Sequence, residues 1–300
     1  MLGDLARPTY HSRSPRSTRV ALPAHPRLPG VSMFWIYELP LWLLALLCIG
    51  VTVVLDVAGV LIARRREWVL EPAETSAAFA IHAFIGVVYA VSLGLIVVGV
   101  QSGYDEVSAA VMREASASSD LFRIMQGVEE PERSQMQTLL ESYVDRVMHV
   151  EWPAIQHGGS SELAAQTVDS IVRSIFVYEP RSAHAQALYP HLLSDSDDLL
   201  DARRTRLYLG SSGVGPVIWF VVAIGAVITL GFTWFFHIPS RRAHVTTSGI
   251  AAALVGLMMF LILGLDHPAW GNLSVDPGAF VTVKANIVRW RAETAAERQR

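Results

Sequence analysis

The stretch FAIHAFIGVVYAVSLGLIVVGVQSGYDEVSAAVMREA, residues 79–115, decides the fold. From Phe79 to Val100 it holds no Asp, Glu, Lys or Arg. A helix rises about 1.5 Å per residue, so roughly 20 such residues cross the ~30 Å hydrocarbon core of a bilayer. From Gln101 the chain turns polar, but apolar residues recur at helical spacing through Val107, Val111, Leu121, Phe122 and Met125, and the pattern breaks only at Gly127 and Pro131. One helix is therefore expected to leave the membrane and continue without interruption into a polar region.

Three further apolar runs of comparable length, Leu39 to Ala63, Val217 to Phe236 and Val245 to Leu265, bring the expected number of spans to four. The composition agrees: 52% hydrophobic and 17% charged residues do not describe a freely soluble chain. A net charge of −3 offers no basic footprint for nucleic acid. The single cysteine, Cys48, lies inside the first run, which excludes an internal disulfide and a multi-cysteine metal site. Residues 1–32 are proline- and arginine-rich with no long apolar run, the composition of a disordered tail or of sequence ahead of a true start at Met33.

Between residues 101 and 213 the local net charge is −8. After Pro131 a second helical period runs through Met136, Leu140, Tyr143, Val144 and Val147 towards Trp152 and Pro153. A third starts at a Ser160 or Ser161 cap and passes Val168, Ile171 and Ile175, and a fourth spans Ala183 to Leu209 with Pro190 bending its start. No sustained strand alternation is present. The expected fold is all-α, with spans one and two in 33–100, a polar helical domain in 101–213, spans three and four in 214–265, and an extended connection with an amphipathic tail in 266–300. Phe280, Val283, Ile287 and Trp290 form the apolar side of that tail, which is expected to lie along the protein or the membrane surface.

Several strings carry a resemblance: GVVYAVSLGLIVV from Gly86, QSGYDEVSAAVMREA from Gln101, EWP at Glu151 to Pro153, LLDARRTRL from Leu199 and LDHPAWGNLSVDPGAF from Leu265. Together they resemble the bacterial bestrophin-like family of membrane proteins over residues 33–282. The resemblance implies four spans, a large helical domain between spans two and three, and a pentamer around an ion pore lined by the second span. No acidic calcium-clasp run follows the fourth span here.

In the second span Gly86, Ala90 and Gly94 form a stripe of small residues that permits close helix approach. The same helix could present His82, Gly86, Tyr89 and Leu93 to a pore axis, with an apolar constriction that gates by dewetting. Asp56 lies about 12 Å inside the first span. It reads either as an ion-pathway carboxylate, partnered by His82, or as a buried acid hydrogen-bonded to a neighbouring helix. Arg203, Arg204 and Arg206 read as an anion-attracting ring in an oligomer or as internal partners of the domain's acids. Asp266, at the end of the fourth span, is expected to meet one of these arginines or to stay solvated at the interface. Asp195, Asp197, Asp198 and Asp201 lack the glycine and glutamate of an EF-hand loop and read as a solvated helix start capped by Ser194 or Ser196, so no metal is expected.

GxSxG, HExxH, P-loop and GxGxxG motifs are absent, Glu151 has no identifiable partner, and neither enzymatic activity nor a cofactor is expected. The expected partners are the bilayer of the cell membrane and further copies of the chain. The leading functional reading is an oligomeric ion channel; the alternative is a sensory or scaffolding membrane protein whose helical domain binds a partner. Orientation stays open. Arg64, Arg65, Arg66, Arg241 and Arg242 in the short connections favour an external domain, whereas the resemblance implies a cytoplasmic one.

Overall fold

In the computed structural model, which describes residues 34–68 and 70–298, four helices are long and apolar enough to cross a membrane. They are α1 (Leu41–Arg65), α2 (Pro72–Ile124), α6 (Pro216–Thr233) and α7 (Arg241–Leu265). The polar region is built by the distal half of α2 with α3 (Glu132–Arg146), α4 (Glu162–Val177) and α5 (Ala183–Gly210), and α8 (Gly278–Arg298) packs upon it. No strand is present among the described residues. The reading of residues 1–32, and of Met33 as a start, lies outside the described residues.

The continuity expected of α2 is observed: 53 residues, or about 80 Å of helix, run from one membrane surface to the far part of the polar region. Pro72 opens α2 and Pro216 opens α6, both in the first turn, where a missing N–H is harmless. Ser161 caps α4, accepting from the Ala164 N–H at 3.2 Å, and Ser182 caps α5, accepting from Ala185 at 3.1 Å. With Ser182 as the cap, Ser194, Ser196 and the Asp195–Asp201 group fall in the middle of α5 and do not start a helix, which corrects that expectation.

The polar region's core collects the residues that recur at helical spacing. Leu121 and Phe122 of α2, and Met125 in the turn after it, meet Leu140 and Tyr143 of α3, Ile171 and Ile175 of α4, and Leu199 of α5, all fully buried. The tail helix α8 adds Phe280 and Ile287 to this core, and Trp290 stacks on Phe122 with ring centres 5.9 Å apart. Lys284 to Asp145 at 2.6 Å and Arg291 to Glu141 at 2.8 Å hold its flank. The tail thus lies on the protein. Within the membrane, α1 and α7 pack so closely that a Cβ on Gly256 would stand 2.9 Å from the Cys48 carbonyl oxygen.

Between α7 and α8 the chain is non-helical apart from one turn, as Pro268 and the glycines require. Gly271 has φ of +64°, and a Cβ there would collide with the Tyr37 carbonyl. Asn272 donates to the carbonyls of Glu38 and Leu39, at 3.2 and 3.0 Å, so this connection holds the start of α1.

Candidate functional site: the long helix and its charged anchor

The membrane half of α2 has two unlike sides. On one, Tyr89 and Leu93 are buried in the core shared with α6 and α7, with the Tyr89 hydroxyl donating to the Val222 carbonyl at 2.8 Å. Gly225 makes this possible, because a Cβ there would overlap the Tyr89 ring. Of the four residues expected at a pore axis, Tyr89 and Leu93 are therefore core residues of the subunit. His82 stacks on Phe232 with ring centres 5.5 Å apart and meets Phe236 edge-on. Gly86 and Gly94 face open space, with nothing within 4 Å of a Cβ built on either. The other side carries Phe84, Val88, Val91, Leu95 and Val98 at alternating spacings of four and three, all exposed in the single chain. This ridge is the apolar surface that α2 leaves uncovered.

Asp56 is 1% exposed and faces α6 and α7. It accepts from Trp234 Nε1 at 3.0 Å, from the Ser248 hydroxyl, and more weakly from Thr233 at 3.4 Å. The structure therefore realises the hydrogen-bonded buried acid, and His82 does not meet it. The reason is helix placement: α1 packs on α7 and α6, while the His82 ring is held among the phenylalanines of α6 and its end. Gly59 leaves the room that the Trp234 ring occupies. Arg64 closes this end of the bundle, donating to the Ile238 carbonyl at 2.7 Å.

In the polar region Arg203 and Arg206 are drawn into the core. Arg203 grips Glu151 with both terminal nitrogens, each at 2.6 Å. Arg206 reaches Glu114 through Nε at 2.5 Å and Nη2 at 3.0 Å, and Glu151 at 2.6 Å. The Tyr143 hydroxyl donates to Glu114 at 2.5 Å. Glu114, Tyr143 and Glu151 have no solvent exposure. Burial would raise the Glu151 pKa, but the bonds from Arg203 and the Arg206 charge outweigh it and hold the carboxyl below its ordinary value. Burial and the Glu114 charge push the Tyr143 hydroxyl up, so it remains a donor. Two cations and two carboxylates thus neutralise one another in a closed cluster that leaves no accessible acid or nucleophile.

Local structure sets this arrangement. Val147–Glu151 forms a π turn between α3 and the short helix Trp152–Gln156, and it carries Glu151 into the core. Trp152 then lies under the Arg206 guanidinium, 5.5 Å from it. Arg204, between the two, is exposed. The internal-pairing reading thus describes Arg203 and Arg206, and the trio does not act as one. Glu114 escaped the sequence reading, although it sits three residues after Val111 on the buried stripe of α2, a spacing that marks it as an acid facing the core.

Asp266 does not meet an arginine. It accepts from the Tyr37 hydroxyl at 2.8 Å and the Val214 N–H at 2.5 Å, with the His267 ring 3.1 Å away. Arg203 and Arg206 are already committed to glutamates, and the chain entering α6 supplies a nearer donor. His267 and Trp270 stack with ring centres 3.8 Å apart, and Tyr37 meets both edge-on. The sequence reading missed Tyr37, since nothing in sequence brings residues 229 positions apart together.

Two crystal structures of a bacterial bestrophin homologue from Klebsiella pneumoniae share this fold. The form with a leucine-to-threonine substitution aligns with a TM-score of 0.61 at 13% identity, covering 80% of this chain and 98% of its own. The form with an isoleucine-to-threonine substitution aligns with a TM-score of 0.59 at 14% identity, covering 80% and 99%. No curated protein matches the sequence. The profile of the bestrophin-like domain matches residues 50–280, most of the chain, and the protein belongs to the bestrophin-like family.

Proposed function

We propose that this protein is the subunit of a homo-oligomeric ion channel of the cell membrane, a pentamer in the bestrophin manner, in which copies of α2 surround the pore. The observation that carries this reading is the uncovered ridge Phe84, Val88, Val91, Leu95 and Val98 on a helix that runs unbroken from the membrane into the polar region. Asp56, the deep acid of α1, is already held within the subunit by Thr233, Trp234 and Ser248. Ridges from several copies would instead enclose an apolar constriction, which passes ions when wet and stops them when dry. The pore face assigned here is this ridge, while Tyr89 and Leu93, with Gly86 on their side of the helix, face the subunit's own α6 and α7. The Glu114–Arg206–Glu151–Arg203 cluster fixes the distal half of α2 and so sets the direction in which the ridge points. Enzymatic activity has no place in this reading.

Purified protein reconstituted in liposomes is expected to give flux above background for anions or small cations. Background flux from protein that is demonstrably assembled would overturn the channel reading and leave a sensory or scaffolding role.

A further inference from the structure

The side of α2 that is bare in the membrane stays bare beyond it. Spacings of three and four residues carry the ridge from Val98 onward through Ser102, Asp105, Ala109, Met112, Ser116 and Asp120, all exposed. The opposite side is buried along the same length, by Tyr89, Leu93 and Val100 in the membrane and by Val107, Val111 and Glu114 in the polar region. A helix repeats its faces at such spacings, so an α2 that turns its ridge to an axis turns these residues to the same axis. Along that line the chemistry changes from apolar to acidic. Asp105 is the first charge after Val98, seven residues or about 10 Å farther along the helix. Gln101 Nε2 donates to its carboxylate at 3.0 Å, which steadies it on this side. Glu106 and Arg113 are exposed on the flank.

We infer that the pore selects cations and that Asp105 sets this preference, with Asp120 forming a second ring farther from the membrane. This rests on the channel reading and adds to it the sign of the ion. Copies of Asp105 around one axis add their fields at the end of an apolar constriction, where a ring of carboxylates concentrates cations and repels anions. The arginines that would reverse the sign are occupied. Arg203 and Arg206 are neutralised by Glu114 and Glu151 inside the core. Arg123 lies over the Trp290 ring, 5.5 Å from its centre. Arg113 shares a groove between α2 and α5 with three acids, Asp120, Asp198 and Asp201. Arg204 follows Asp201 by three residues on α5, the spacing of ion-pair neighbours on a helix. The acids of the bare side are therefore the charges left to face the ion.

The test places the full-length protein in planar bilayers under a KCl gradient, where the reversal potential gives the ratio of K⁺ to Cl⁻ permeability. The unaltered channel is expected to favour K⁺ by at least about fivefold, Asp105→Asn to lower that ratio by at least about twofold, and Asp105→Lys to bring it below about one. Asp169→Lys, an equal change of charge at an exposed position on α4, should leave the ratio unchanged. Three results would overturn the assignment while the channel reading stands: anion preference in the unaltered protein, an unmoved ratio in a conducting Asp105→Lys variant, or an equal shift in Asp169→Lys. Absence of current from assembled protein would overturn both. Should Asp105→Lys fail to assemble, the sign of the unaltered channel and the ratio in Asp105→Asn decide.

Discussion

Among single residues, the two arginines buried in the polar region carry the largest consequences. Arg206→Met leaves Glu114 and Glu151 in the core with half their compensation, and breaking a buried pair from one side costs about 3–5 kcal/mol. Arg204→Ala, on the opposite face of α5 from Arg206 and exposed, should change stability by less than about 0.5 kcal/mol. Chemical denaturation in detergent distinguishes the two, and equal losses would contradict the cluster. The joint at Asp266 is tested by coupling: Asp266→Asn should be additive with Arg203→Ala within about 0.5 kcal/mol but not with Tyr37→Phe. Acid should also weaken the fold. Glu129 accepts from the Tyr178 hydroxyl and the backbone N–H groups of Ser182 and Arg181, which lower its pKa from 4.5 to about 2. The unfolded chain therefore takes up a proton near pH 4.5 that the folded chain refuses until about pH 2. The stability this provides above pH 4.5 is lost as pH falls through that window, and the loss of melting temperature between the two values should be shallower in Glu129→Gln. Of these sites, Arg203, Arg206 and Asp266 stood out in the sequence as charges near a membrane. Glu114 and Tyr37 did not, and Glu151 stood out without a partner, because pairing over separations of 52 to 229 residues is fixed by packing.

At the level of helices, the glycines of the spans divide into two kinds that sequence spacing does not separate. Gly256 faces the α1 backbone, where a Cβ would stand 2.8 Å from the Ile49 Cα, so Gly256→Leu should prevent α7 from seating on α1 and abolish folded protein. Gly94 faces open space within the subunit. Gly94→Leu should leave the subunit's melting temperature nearly unchanged while weakening assembly, as read by oligomer mass in mild detergent. Unaltered mass would show that the stripe is no interface. The distinction arises because GxxxG-type spacing licenses close approach without naming the helix that approaches. The π turn at Val147–Glu151 makes the same point inside the polar region: helical periodicity runs through it in sequence, and only the packed structure shows the local widening that turns Glu151 inward.

For the molecule as a whole, α2 joins a membrane ridge to a charge-locked core, so a change on the ridge should alter conduction without unfolding the polar region. Leu95→Ser places a hydroxyl on the proposed constriction and is expected to raise flux severalfold in liposomes by easing wetting, with melting temperature unchanged. Flux that is no higher in the assembled variant would argue against the ridge as the pore surface. The sequence by itself determined the four spans, the uninterrupted α2, the helices of the polar region and the residues of its core. These follow from runs of apolar side chains and from their helical period, which are local properties. Tertiary structure alone decided that Asp56 is satisfied by α6 and α7, that Glu114 and Glu151 neutralise Arg206 and Arg203, that Tyr37 holds Asp266, and which side of α2 remains bare. A buried charge or a helix face acquires its partner only when distant helices settle at a particular rotation and depth, and no local pattern encodes that choice.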